Sequence, residues 1–119
     1  MKYKTSELEG ALLDAAVAKA KGWIRIGNDW RTPKKNQFSG HHRFSVAEWI
    51  PSCIWDQGGP IIERERIEIL CRPPAGKKPA VWLAGSLTGG LRLTEANTPL
   101  IAAMRAYVAS KFGEDVELP

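Results

Sequence analysis

No apolar run in this sequence approaches the roughly 18 residues that a membrane-spanning helix needs. Cysteine is scarce. Cys53 and Cys71 are too few for a disulfide framework and do not form a Cys-x-x-Cys pair, a usage that suits a reducing cytosol. Met1 to Glu7 lead into an alanine-rich stretch with acidic residues inside it, so no secretory leader is expected. Catalytic spacing is also missing. Ser86 lies in Gly85-Ser86-Leu87, which is not the Gly-x-Ser-x-Gly of a nucleophile elbow. Glu63 and Glu65 stand two apart, which sends them to different sides of a helix. His41 and His42 are adjacent, and adjacent strand residues point to opposite faces, so one ion cannot easily take both. A polar surface loop accounts for them better than a metal site, and nothing calls for a cofactor or an enzyme.

What is present is the material of one small domain, residues 1–119, with 44% hydrophobic and 25% charged residues. The net charge of +4 is unevenly spread. Residues 21–43 set Lys21, Arg25, Arg31, Lys34, Lys35 and Arg43 against Asp29 alone. Residues 44–71 are acidic on balance, and 72–92 are basic again through Arg72, Lys77, Lys78 and Arg92. A basic segment raises the local concentration of anionic partners such as phosphates.

Ser6 and Glu9 have the spacing of a capping box, and Leu8, Ala11, Leu12, Ala15 and Ala16 follow at helical spacing to a stop at Gly22. Gly10 weakens this helix by about 1 kcal/mol relative to alanine. Trp23 to Ile26 reads as a strand ending at Gly27-Asn28-Asp29, and 31–43 as an exposed loop. Phe44 to Ile50 reads as a strand closed by Pro51. Residues 55–65 read as a loop running into a short helix that starts at Pro60. Ile67 to Leu70 and Ala80 to Ala84 alternate as strands, with Gly76-Lys77-Lys78 turning between them and Gly85, Gly89 and Gly90 marking a later loop. The last helix opens at Asn97 or Thr98 with Pro99 at its first position, shows Leu100, Ala103, Met104, Tyr107 and Val108 on one face, and stops at Gly113. The expected fold is α+β, with N-terminal and C-terminal helices packed on a short, mostly antiparallel sheet.

Two features suggest binding. A helix start at Gly58-Gly59-Pro60 would present free N–H groups to a phosphate or carboxylate, with two glycines allowing close approach. Five tryptophans are far above the usual share, and aromatic faces beside cations stack nucleobases. Trp23 and Trp82 are expected in the core, leaving Trp30, Trp49 and Trp55 as surface candidates. The candidate ligand site is therefore Trp49, Trp55, Asp56, Gln57, Gly58 and Gly59, with Arg64 and Arg105 adding charge. The candidate nucleic-acid or partner surface is Trp30, Arg31, Lys34, Lys35 and Arg43.

Trp55-Asp56-Gln57-Gly58-Gly59-Pro60-Ile61-Ile62-Glu63-Arg64-Glu65, Val81-Trp82-Leu83-Ala84 and the block from Thr98 to Gly113 together resemble the NinX-type proteins of tailed bacteriophages and prophages, as does the opening helix. The resemblance implies a phage or prophage accessory protein of the bacterial cytoplasm, and implies no reaction. The expected role is a non-catalytic module for a phosphate-bearing ligand, a nucleotide-type signal or a nucleic acid, used in host takeover or counter-defence. The alternative is an inhibitor that binds a host enzyme or defence complex. No membrane partner is expected, and a homodimer would add burial to a domain this small.

Overall fold

A computed structural model describes residues 1–33, 40–87 and 93–119. The order is β1 (Lys2–Lys4), a 3-10 turn (Thr5–Glu7), α1 (Gly10–Ala20), β2 (Ile24–Ile26), β3 (Asp29–Arg31), β4 (His42–Ser45), α2 (Trp55–Glu65), β5 (Ile67–Arg72), β6 (Val81–Ser86), β7 (Thr94–Ala96), α3 (Pro99–Phe112) and β8 (Asp115–Glu117). The strands form three small antiparallel sheets, β1-β8, β2-β3-β4 and β5-β6-β7. The fold is α+β.

Its centre is α3. Thr98 caps it by accepting a hydrogen bond from the Ile101 N–H, Pro99 begins it, and Gly113 at φ 79° ends it. Leu100, Met104, Tyr107 and Val108 are buried as expected, but so are Ala102, Ala106 and Ala109. A helix buried on nearly all sides must be covered on nearly all sides. Here β5, β6 and β7 pack on α3, and so do α1 and α2. The small alanines let these neighbours come close.

The first helix departs from the capping-box reading. Ser6 lies in the 3-10 turn, Glu9 is the N-cap, and no side chain caps α1. The chain ends explain why: β1 pairs with β8, and the Thr5 hydroxyl donates to the Gly113 carbonyl at 2.8 Å. These tertiary bonds hold residues 2–4 extended and Thr5 at the start of the 3-10 turn, so the helix begins later. Gly10 then stands at its first turn with φ 58°, where glycine is favoured, and does not weaken the middle. Gly22 at φ 83° ends the helix.

The second helix is the larger correction. It begins at Trp55, so Gly58, Gly59 and Pro60 lie inside it and not at its start. The bonds from Gln57 N–H and Gly58 N–H to the Ile54 carbonyl set that early start. Pro60 removes the N–H that would reach the Asp56 carbonyl, and both residues are exposed, where water substitutes. Gly58 is buried because a Cβ there would lie 2.6 Å from Leu100 Cδ1 and 2.7 Å from the Pro51 carbonyl oxygen. It is a contact point between α2 and α3.

Smaller differences have local causes. The expected strand over 44–50 stops at Ser45, because the Glu48 and Trp49 N–H groups fold back to the Ser45 carbonyl. The expected 31–43 loop carries strand at both ends, in β3 and β4. β1, β7 and β8 are three residues each, too short to show a period. The turn from β5 to β6 forms at Ala75–Lys78, with Gly76 at φ 61°. Gly89 and Gly90 lie outside the described residues.

Candidate functional site

Three aromatic rings join the β2-β3-β4 sheet to the helical body. Trp23 and Trp49 are 4.6 Å apart by ring centroids, Phe44 and Trp49 are 4.9 Å apart, and Trp23 stacks on Phe44 at 5.9 Å. Trp49 is anchored by its indole N–H, which donates to the Asp14 carbonyl of α1 at 3.1 Å. Packing the buried Trp23 and Trp49 and the half-buried Phe44 together supplies apolar contact that three-residue strands cannot otherwise provide.

Cations collect on this cluster. Lys21 Nζ stands 5.2 Å from the Trp23 ring centroid and the Arg43 guanidinium 5.7 Å. Both distances lie within cation–π range. Burial, then repulsion from Arg64 and Arg43, pushes the Lys21 ammonium below its ordinary pKa, with Glu65 opposing. Lys21, Arg43 and Arg64 thus come from α1's C-terminal cap, β4 and α2 to one neighbourhood. Repulsion among like charges is relieved by an anion that approaches them. Glu65 is the nearby counter-charge. Burial would raise its pKa, but Arg64 at 3.2 Å and Lys111 at 3.3 Å outweigh that and hold it below the ordinary carboxylate value.

The expected ligand residues do not converge. Trp49 is buried in the aromatic cluster. Trp55 is exposed, and Asp56 lies in the first turn of α2. Gln57 is occupied by the backbone: its amide oxygen accepts from the Ile50 N–H and its amide nitrogen donates to the Glu48 carbonyl, both at 2.7 Å. Gly58 is packed against Leu100, while Gly59 has open space around it. Arg105 is engaged elsewhere than Arg64: it donates to the carbonyls of Leu8 and Glu95, each at 2.7 Å. The anion-binding helix start is therefore not formed by these residues.

The second set divides as well. Trp30 is buried and not a surface ring, Arg31 pairs with Asp29 at 3.6 Å, and Arg43 joins the cation cluster. Lys34 and Lys35 lie outside the described residues. Trp23 is buried as expected, but Trp82 is only half-buried. Lys21 is the residue that sequence reasoning passed over as a site. The available signal was its place two residues before Trp23, across the Gly22 stop.

Beside the cluster runs an apolar groove of about 730 Å³, between α1 and the β2-β3-β4 sheet, with Ala11, Ala15, Trp23, Trp30 and Trp49 in its walls. Among the described residues no group of three or more His, Cys, Asp or Glu is placed to hold a metal ion. No helix among them is long and apolar enough to cross a membrane.

No curated protein matches the chain significantly. A family model does: the one described as bacteriophage P22, NinX, matches residues 4–111. That span contains α1, α2, all of α3 but its last residue, the aromatic cluster, and Lys21, Arg43 and Arg64. The chain belongs to the bacteriophage P22 NinX family.

Proposed function

We propose that this phage-family protein is a non-catalytic module that binds a phosphate-bearing ligand, a nucleotide-type signal or a nucleic acid, in host takeover or counter-defence. The observation that carries the reading is the placing of Lys21 and Arg43 over the Trp23 ring, with the charge of Arg64 acting on Lys21. A phosphate offers several oxygens to such a set, and arginine is suited to bidentate contacts. The test is titration of single-stranded DNA and of a nucleoside triphosphate at about 50 and about 200 mM salt. Nucleic-acid binding falls steeply with salt, whereas a nucleotide held at one site falls less. Replacing Lys21, Arg43 and Arg64 together by alanine is expected to abolish binding in a folded protein. Binding to neither probe overturns the reading.

One observation favours the alternative, an inhibitor of a host protein. Trp55 is 52% exposed and follows the exposed Ile54 at the start of α2. Exposed tryptophans are frequent anchors of protein interfaces. A stoichiometric host complex that Trp55→Ala abolishes, with both phosphate probes blank, would replace the first reading by this one.

A further inference from the structure

We propose that the groove between α1 and the β2-β3-β4 sheet binds a flat apolar acid, an aromatic ring system bearing a carboxylate. The inference is separate from the phosphate reading, because Lys21, Arg43 and Arg64 do not line this groove. Its volume of about 730 Å³ falls in the range of small-molecule sites. Its walls are the apolar face of α1, at Ala11, Leu12 and Ala15, and the rings of Trp23, Trp30 and Trp49. Flat rings on one wall and small side chains on the other leave a slot suited to an aromatic plane.

Polar groups set the head group. Trp30 is more than nine-tenths buried, its indole N–H has no hydrogen-bond partner among the described residues, and the nitrogen is not sealed from solvent. Arg25 pairs directly with Trp30 across β2 and β3, so both side chains leave the same face of the sheet. Its Nε donates to the Gly27 carbonyl at 3.0 Å, and its terminal amino groups have no partner among the described residues. The other charged side chains in the lining, Lys19 and Asp14, each have a partner. Lys19 donates to the Glu117 carbonyl, and Asp14 accepts from the Ser52 N–H. An indole N–H and a free guanidinium side by side match a carboxylate.

The test titrates 2-naphthoate into ¹⁵N-labelled protein and follows the five indole N–H signals, with uncharged 2-naphthalenemethanol as the comparison. The Trp30 signal is expected to move and that of Trp55 to stay. Arg25→Gln should weaken 2-naphthoate by about tenfold and leave the alcohol nearly unchanged. Ala11→Phe, which fills the slot from α1, should abolish both. Leu12→Glu, at an exposed position on the same wall, should weaken both and stands in if Ala11→Phe misfolds. The proposal is overturned if 2-naphthoate at about 1 mM leaves the Trp30 signal in place. It is equally overturned if Arg25→Gln weakens acid and alcohol alike, or if the filled groove still binds.

Discussion

Asp14 of α1 accepts a hydrogen bond from the backbone N–H of Ser52 at 2.9 Å, and both residues are buried. The Asp14 backbone carbonyl accepts from the Trp49 indole, so one residue fastens α1 to the whole 49–52 segment. Asp14→Ala leaves the Ser52 N–H buried without an acceptor, which should cost about 1–3 kcal/mol in a denaturant titration. Asp14→Asn keeps an acceptor and should cost much less.

The same pair sets a pH dependence. Burial pushes the Asp14 carboxyl above its ordinary value of 3.8, against the lowering effect of its bonds to Ser52. An acid with a raised folded pKa contributes stability that is fully present below 3.8 and is lost as pH rises through the folded value. Urea midpoints of wild type and Asp14→Asn, measured from acid pH upward, should therefore diverge in favour of the asparagine. A difference that stays constant across that range would contradict the assignment.

The adjacent glycines of α2 should behave oppositely. At Gly58 a Cβ meets Leu100 and the Pro51 carbonyl, so Gly58→Ala should destabilise by about 1–3 kcal/mol. At Gly59 a Cβ meets nothing within 4 Å, so Gly59→Ala should stabilise by about 0.5–1 kcal/mol through helix propensity. Thermal melts of the two variants decide it. Equal effects would mean that the helix does not pack on α3 through Gly58.

Arg105 ties α3 to Leu8, two residues ahead of α1, and to β7, through the Leu8 and Glu95 carbonyls. Arg105→Met keeps most of the apolar stem and removes both bonds. A loss of about 2 kcal/mol is expected, with no change in binding of either phosphate probe. Lost binding with unchanged stability would return Arg105 to the ligand site.

How legible all this is from sequence depends on whether local signals meet tertiary opposition. Thr98, Pro99 and Gly113 state the limits of α3, and the Thr5 bond to the Gly113 carbonyl agrees with the stop there. Gly22 and Gly76 likewise stand where the chain needs positive φ. Ser6 and Glu9 carry an equally good local signal, but the pairing of β1 with β8 overrides it. Pro60 misleads for another reason. A proline marks a first turn only when residues before it cannot be helical, and here the bonds to Ile54 make those residues helical. The tryptophans cannot be sorted by sequence, because burial of Trp30 and Trp49 depends on how the small sheet meets α1. The cation set is half visible: Arg43 and Arg64 are recognisable as charge, yet only the fold brings them to Lys21.

The central claim is that Lys21, Arg43 and Arg64 form one anion site, and Lys21 itself can report on it. Its side-chain titration, followed by NMR, should show a pKa below the ordinary lysine value in the free protein. Inorganic pyrophosphate should raise that pKa, because the anion offsets the repulsion from Arg43 and Arg64. In Arg43→Gln the starting value should be higher and the rise smaller. A Lys21 pKa that pyrophosphate leaves unmoved would contradict the account.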